Sequence, residues 1–225
     1  MHIKLLVATT NPGKLREIRR ILGDLPVELL SLGDFPGIPE PEETGTTFEE
    51  NARLKALYYD KTIGAATSAP AHRGPIYTVA EDSGLVVDAL NGEPGVHSAR
   101  FLGSDATYPE RFEEIFRRLA ARPLAPRTAR FVAAVCVVRD ASVTYEATGT
   151  VEGEIASAPR GERGFGYDPI FYYPPHAATL AEVTDEEKVA VAHRGKAFRK
   201  LAAWLASTVL VESTERRTKG LSSVP

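Results

Sequence analysis

Two apolar runs near the middle of the chain, separated by a short polar stretch, constrain the fold more than any other feature. The segment from Thr78 to Asp88 is rich in aliphatic residues and is typical of β structure, yet it contains Glu81 and Asp82. An ionised carboxylate inside a sheet is costly unless a cation compensates it. The pair therefore predicts a bound metal or cationic ligand, with Ser83-Gly84 forming a tight turn beside it. The alternative is a solvated β-turn whose acids face water.

The length and composition describe an ordinary globular protein. The chain has 225 residues, of which 43% are hydrophobic, enough for one α/β domain or two small lobes. Its formal charge of −3 gives no basic field that would recruit a nucleic acid polymer or a membrane. The single cysteine, Cys136, lies in an apolar run and is expected to be an inert core thiol.

The beginning of the chain runs directly into an apolar strand without the features of a signal peptide. No apolar stretch approaches the roughly 18 residues that a membrane-spanning helix needs. We therefore expect a cytoplasmic location.

The first motif lies where a strand meets a helix. Ile3 to Thr9 is a predicted buried strand, and Asn11-Pro12 supplies an N-cap and a first helical residue. The segment from Thr9 to Lys14 therefore lies at a helix N-terminus, where backbone amides and Lys14 could bind a phosphate. A capped surface helix without a ligand explains the same residues. The motif is not a Walker A loop, because Leu15 occupies the position that requires Ser or Thr.

A second helix follows a Pro/Gly-rich loop. Residues 47–50 (Thr-Phe-Glu-Glu) fit a capping box, and the predicted helix runs to about Lys61. Lys55 on this helix is either a solvated side chain or a ligand contact. We predict a surface loop over residues 62–75. Further on, Arg100 ends a turn-rich segment, where it could bind phosphate or form a surface ion pair.

The second half of the chain predicts a mixed sheet. Residues 108–121 form an amphipathic helix, and residues 127–139 and 142–155 are two long strands around a short turn, typical of an antiparallel hairpin. The loop 161–169 contains two aromatic residues and an acid, an arrangement suited to binding a planar ring by stacking and hydrogen bonding. A capping box at Thr184 begins a short helix, and residues 193–196 interrupt the helical periodicity.

Six motifs along residues 3 to about 206 belong together. They are Thr9-Thr10-Asn11-Pro12-Gly13-Lys14, Glu42-Glu43-Thr44-Gly45 with Glu50-Asn51-Ala52, Glu81-Asp82-Ser83-Gly84-Leu85, Gly92-Glu93-Pro94-Gly95, Phe165-Gly166-Tyr167-Asp168-Pro169 and His193-Arg194-Gly195. In this order they resemble the inosine/xanthosine triphosphate pyrophosphatase family. The chain departs from the family pattern at Ala192, where Ser is frequent, and at Glu81, where many members have Asp.

The resemblance implies hydrolysis of the non-canonical purine nucleoside triphosphates ITP, dITP and XTP to the monophosphate and pyrophosphate, with Mg²⁺ as cofactor. It implies that Asp82 is the catalytic proton acceptor and a metal ligand, that Glu42 is a second ligand, and that Glu81 is a third candidate. The substrate-binding residues that it implies are Thr9, Thr10, Asn11, Pro12, Gly13, Lys14, Lys55, Ser83, Phe165, Gly166, Tyr167, Asp168, Lys188, His193 and Arg194. It also implies a homodimer.

These expectations combine into one picture. The predicted fold is α/β: a twisted mixed sheet flanked by helices, in two lobes with the site in the cleft between them, over residues 1–212. Residues 213–225 are expected to be a flexible tail. In the cleft, Arg194, His193 and Lys188 would donate hydrogen bonds to the 6-oxo edge of the base while Phe165 stacks on its face.

Two other functions fit parts of the sequence. One is the related Maf-type nucleotide pyrophosphatase group, but the segment Asn11-Pro12-Gly13-Lys14 differs from the Ser-rich, Arg-containing motif typical of that group. The other is a nucleotide sensor without catalysis, which the presence of Asp82 and Glu42 disfavours.

Overall fold

The computed structural model describes residues 3–66 and 76–221, with the backbone alone for residues 65–66 and 209–221. In this part of the chain seven strands form one sheet and five α-helices cover it. The strands are β1 (Ile3–Val7), β2 (Val27–Ser31), β3 (Ile76–Val87), β4 (Thr128–Arg139), β5 (Ser142–Ile155), β6 (Phe171–Tyr173) and β7 (Ala178–Thr179). The helices are α1 (Pro12–Leu22), α2 (Phe48–Ala66), α3 (Tyr108–Ala120), α4 (Asp185–Val191) and α5 (His193–Leu221).

The sheet is mixed, as the sequence predicts. Its order is β2-β1-β3-β4-β5-β6-β7, in which β1 is parallel to β2 and β3 and every later pair is antiparallel. Strands β4 and β5 form the predicted hairpin. The α/β class with a mixed sheet flanked by helices is therefore confirmed.

The side-chain alternation of β3 places two different cores on the two faces of the sheet. Tyr77 and Val79 pack with α1 and α5, whereas Ala80 packs with α2. A third core lies around α3 and the far strands, where Leu85 and Val87 contact it. Adjacent residues of β3 therefore face different helices, and this alternation also separates Glu81 from Asp82.

The polar stretch in β3 is not a turn. The strand is continuous from Ile76 to Val87 and pairs with β4 through Glu81 and Gly84. Gly84 is needed for close packing, because a Cβ atom there would lie 2.4 Å from the Gly95 carbonyl oxygen and 2.4 Å from Ser98 Oγ. The predicted tight turn at Ser83-Gly84 is therefore wrong, and the glycine accommodates the neighbouring segment 95–100.

The predicted helices are largely confirmed, but several of them begin or end at other residues than predicted. Thr47 and Thr184 form the predicted capping boxes of α2 and α4. Helix α2 runs to Ala66, so residues 62–66 are helical instead of loop, and residues 67–75 lie outside the described residues. The predicted break at residues 193–196 is wrong, because these residues form the first turn of α5 and only Ala192 separates α4 from α5. Helix α5 continues to Leu221, past the predicted start of the tail at residue 213.

The cysteine prediction is also confirmed. Cys136 is buried in β4, and burial raises the pKa of its thiol to about 12, so it is not a nucleophile at neutral pH. Among the described helices, none combines the length and the apolar character that crossing a membrane would require.

Candidate active site

A cavity of about 570 Å³ lies beside the central strand β3. Strand β1 ends at Val7, opposite Val79, and the chain then turns into α1, whereas β3 continues for eight more residues to Val87. Beyond Val79 this edge of β3 no longer pairs with β1, and the segment 95–100 covers it only from Gly84 onward, so Glu81, Asp82 and Ser83 border the cavity. This position, beyond the carboxyl ends of two parallel strands, is where ligands of open α/β sheets bind.

Most of the residues predicted from the sequence line this one cavity. They are Thr9, Thr10, Asn11, Lys14, Glu42, Lys55, Glu81, Asp82, Ser83, Phe165, Gly166, Tyr167, Asp168, Lys188, His193 and Arg194. Pro12 and Gly13 do not line it. Gly13 is buried against Phe165, and a Cβ atom at Gly13 would lie 2.8 Å from Phe165 Cδ1. The glycine therefore permits the first turn of α1 to approach the loop that carries Phe165.

The β1–α1 loop provides a cation more than free amides. Asn11 caps α1 by accepting a hydrogen bond from the Lys14 amide at 3.1 Å, and Pro12 has no N–H group. The helix N-terminus therefore offers fewer amides to a phosphate than the sequence suggests. The Lys14 side chain faces the cavity, and its Nζ lies 4.0 Å from Glu81. Burial lowers the pKa of Lys14, although the Glu81 carboxylate opposes this effect.

Asp82 projects to the other face of β3, toward α2. Its Oδ1 accepts a hydrogen bond from Lys55 Nζ at 3.0 Å, and its Oδ2 accepts one from Asn51 Nδ2 at 3.3 Å. Asn51 is fully buried, and its own Oδ1 is held by the Gly45 amide. Burial raises the pKa of Asp82 even though Lys55 and Lys14 oppose it. Asp82 is therefore a rigidly held carboxylate with more affinity for a proton than an exposed aspartate.

Glu43 is a site residue that the sequence analysis did not select. Its Oε1 accepts a hydrogen bond from Lys55 at 2.6 Å and its Oε2 accepts one from Arg100 at 2.8 Å. Burial alone would raise the pKa of Glu43, but the positive charges and hydrogen bonds of Lys55 and Arg100 have the larger effect, so the pKa is lowered. The neighbouring Glu42 is exposed and lines the cavity. The acidic pair at 42–43 is visible in the sequence, but only the fold shows that Glu43 contacts Lys55 and Arg100.

Glu81 is neutralised by Arg194 of α5. Both Oε atoms accept hydrogen bonds from the guanidinium, from Nε at 2.9 Å and from Nη2 at 3.0 Å. Arg194, only 2% exposed, also donates to Glu17 and to Ser83. Burial opposes ionisation of Glu81, but Arg194 and Lys14 hold its pKa well below the usual range. Both oxygens of Glu81 therefore accept hydrogen bonds from Arg194 in this structure, and a role of Glu81 as a third metal ligand stays a prediction.

Lys188 lies in the same buried network. Its Nζ donates to Asp168 at 2.5 Å and lies 2.6 Å from Glu17 Oε1. Burial lowers the proton affinity of Lys188, yet the two carboxylates raise its pKa. Glu17 thus joins Lys188 to Arg194, and the sequence analysis did not select it as a site residue. Nothing local in the sequence marks it, because its partners lie more than 160 residues away.

One polar atom in the site has no partner among the described residues. His193 is 5% exposed, its ring stacks on Phe131 with centroids 4.8 Å apart, and its Nδ1 makes no hydrogen bond. Burial and the nearby Arg194 hold the pKa of His193 well below its usual value, so the imidazole is neutral at pH 7. A buried nitrogen without a partner is costly, and it is a natural place for a ligand hydrogen bond.

The two aromatic residues of the 161–169 loop have different surroundings. Phe165 lines the cavity, and its ring lies 4.6 Å from Lys188 Nζ and 5.4 Å from Arg194 Cζ. Tyr167 is buried, and its hydroxyl donates to the Ser98 carbonyl at 2.9 Å. Phe165 is therefore the ring that can contact a planar ligand, whereas Tyr167 holds the loop against the segment 95–100.

Several carboxylates line this cavity, but those of the described residues do not form a cluster of metal ligands. The described residues contain no group of three or more His, Cys, Asp or Glu side chains that could hold a metal by themselves. Mg²⁺ commonly takes one or two carboxylates and completes its shell with phosphate oxygens and water. Asp82 and Glu42, which line the same cavity, fit that mode of binding.

Comparison with known proteins agrees with this geometry. The model of the Ham1 family matches residues 5–204. A dITP/XTP pyrophosphatase of Exiguobacterium sp. strain AT1b is 48% identical over 204 residues, 89% of this chain and 96% of the relative. One from Geobacillus kaustophilus is 45% identical over 198 residues, 88% of this chain and 92% of the relative.

Solved structures give the same result. A HAM1 protein from Coxiella burnetii superposes with a TM-score of 0.80 at 38% identity, covering 91% of this chain and 99% of that one. A nucleoside-triphosphatase, also named a dITP/XTP pyrophosphatase, from Mycobacterium abscessus gives a TM-score of 0.66 at 41% identity, covering 90% and 99%. With a family model that matches most of its length and relatives above 40% identity, this chain belongs to the Ham1 family.

Proposed function

We propose that this chain hydrolyses the non-canonical purine nucleoside triphosphates dITP, XTP and ITP to the nucleoside monophosphate and pyrophosphate, with Mg²⁺. The observation that carries the proposal is the division of one cavity into two ends. One end has lysines and carboxylates around Asp82, and the other has Phe165 and the unpartnered Nδ1 of His193. These ends suit a polyphosphate and a base, respectively.

At the phosphate end, the protein supplies charge and a proton acceptor. Lys14 and Lys55 stabilise the negative charge that develops on the leaving pyrophosphate. Asp82, whose pKa is raised by burial, takes the proton of the attacking water. Bound Mg²⁺, held by Asp82 and Glu42, would neutralise phosphate charge and lower the pKa of water.

At the base end, hydrogen-bond donors favour a 6-oxo purine. The bonds to Glu81, Glu17 and Ser83 use four of the five N–H groups of Arg194, and Lys188 uses two of its three. One N–H group of each can therefore face the base, together with His193. A 6-amino group would place its own N–H donors against the N–H donors of these side chains. Each hydrogen bond lost in this way costs about 1–3 kcal/mol. Selectivity against adenine nucleotides is the expected result.

The test of this proposal is the position of bond cleavage. In ¹⁸O-labelled water with Mg²⁺ and ITP, dITP or XTP, we expect the label in the monophosphate, because attack occurs at the α-phosphorus beside Asp82. ATP serves as the poor-substrate control. Label in pyrophosphate, or orthophosphate as the first product, would contradict the proposed reaction. Nucleotide binding without any turnover would support the sensor alternative instead.

We also propose that the protein is a cytoplasmic homodimer, which rests on the family resemblance alone. Light scattering coupled to size-exclusion chromatography should give about twice the mass of 24.4 kDa over a range of protein concentrations. A monomer mass at every concentration would contradict it.

A further inference from the structure

Arg100 lines the same cavity as Lys14 and has no role in the chemistry described so far. It ends the 3₁₀ segment Gly95–Arg100, which packs tightly on Gly84 of β3. Its Nη1 donates to Glu43 Oε2 at 2.8 Å and its Nη2 donates to the Glu43 carbonyl at 3.3 Å. The guanidinium is thus held at the cavity wall by a residue from another loop.

The carboxylate of Glu43 bridges two cations. Lys55 donates to Oε1 and Arg100 donates to Oε2, so each oxygen faces one positive charge at the cavity. Two anionic oxygens on one central atom are also what a phosphate presents, and an arginine binds carboxylate and phosphate with the same donor geometry. A phosphate group could therefore replace this carboxylate between the two cations.

The balance of charge in the cavity gives a reason for such an exchange. Lys14 lies near Glu81 and Lys55 is shared between Asp82 and Glu43, so both lysines already have acidic neighbours. A triphosphate adds several negative charges to this setting. The Arg100 side chain is 38% exposed and Glu43 is 24% exposed, and ion pairs with this much solvent contact contribute little stability. Breaking the pair to bind a phosphate is therefore cheap.

We propose that Arg100 is a phosphate-binding residue, and that Glu43 holds it at the cavity wall and gives it up to the terminal phosphates of the substrate. The inference rests on the proposed function, because it assigns a contact to the leaving pyrophosphate. Arg100 thus completes a set of three cations for the polyphosphate, Lys14, Lys55 and Arg100, of which Lys55 and Arg100 share the Glu43 carboxylate.

The first experiment measures competitive inhibition of ITP hydrolysis by inorganic pyrophosphate and by inosine. In Arg100→Gln we expect the inhibition constant of pyrophosphate to rise roughly 10- to 100-fold, because a charged hydrogen bond to the phosphate is lost. The inhibition constant of inosine should stay unchanged. Arg122→Gln is the matched control, since Arg122 is exposed and bonds only to the Ala89 carbonyl in the described contacts. Unchanged pyrophosphate inhibition, or equal weakening of pyrophosphate and inosine, would overturn the proposal.

A second variant separates exchange from a purely structural pair. Calorimetry with inorganic pyrophosphate and no divalent metal should show tighter binding in Glu43→Gln and weaker binding in Arg100→Gln than in the wild type. If Glu43 only anchors Arg100, both variants will bind more weakly, and the exchange is disproved. This measurement needs no turnover, so it tests the role of Arg100 independently of the proposed function. A wild-type protein that binds pyrophosphate but fails to hydrolyse ITP would contradict the proposed function, while the binding data would still decide whether Arg100 binds phosphate.

Discussion

Asp82→Asn should abolish hydrolysis of ITP while the protein stays folded. Asparagine keeps the size of the side chain, and its Oδ1 can still accept a hydrogen bond from Lys55, although its NH₂ group would face the donor Asn51 Nδ2. It carries no charge for a metal and cannot accept the proton of water. General-base catalysis contributes roughly 100- to 10,000-fold, and loss of metal affinity adds to that. We therefore expect kcat to fall by at least about a thousandfold, measured with saturating Mg²⁺.

The stability of this variant is part of the same prediction. Burial raises the pKa of Asp82, so the folded protein binds its proton more tightly than the unfolded chain does. Its contribution to stability is therefore present at acidic pH and lost as pH rises through the folded-state pKa. At neutral pH without metal, Asp82→Asn should melt close to the wild-type temperature, because removal of a buried charge stabilises the variant while the contact between its NH₂ group and Asn51 Nδ2 destabilises it.

The exposed Asp105→Asn is the control, with both kcat and Tm expected unchanged. A folded Asp82→Asn variant with near-normal kcat would remove Asp82 from the mechanism.

Arg194→Ala should be among the most destabilising single substitutions in this chain. It would leave Glu81 as a buried carboxylate without its main cation, and would also remove one of the two cations that contact Glu17, whose other partner is Lys188. Breaking a buried ion pair from one side costs about 3–5 kcal/mol. We expect a loss of that size in the free energy of unfolding, measured by chemical denaturation.

Two further variants test the cause of that loss. Arg20→Ala is the matched control, because Arg20 also contacts two acids, Asp185 and Glu186, but its side chain is 41% exposed, so its removal should cost about 0–1 kcal/mol. Adding Glu81→Gln to Arg194→Ala should restore part of the lost stability, since it removes the unpaired charge. Equal losses for Arg20→Ala and Arg194→Ala, or no recovery in the double variant, would show that Arg194 contributes by packing alone.

The position of Arg194 also changes how base selectivity should be measured. The sequence favours Arg194 as a direct reader of the 6-oxo group, but four of its N–H groups are bonded inside the protein. Loss of activity in Arg194→Ala would therefore mix damage to the network with loss of base contact. His193, with its unpartnered Nδ1, and Phe165 are better positions at which to compare ITP with ATP.

Local sequence alone was sufficient for several elements of this protein, although not for the continuity of β3 or the ends of α2 and α5. Apolar periodicity predicts the β4–β5 hairpin and α3, and the capping boxes at Thr47 and Thr184 mark where α2 and α4 begin. These features are local, because hydrogen bonds within a few residues and the alternation of side chains produce them. The order of the motifs was also enough to identify the family and most residues of the cavity.

Only the tertiary structure decided which acid is neutralised by which cation. Glu81 and Asp82 are neighbours in sequence, but the pleat of β3 directs one to Arg194 and the other to Lys55. The partner of Glu81 lies 113 residues away, and Glu43 meets Arg100 across 57 residues, distances at which no local pattern operates. Desolvation and pairing of a charge depend on the groups that the whole fold brings within a few ångströms of it. The residue types in the site could therefore be predicted from the sequence, whereas their division into structural pairs and ligand-facing groups required the fold.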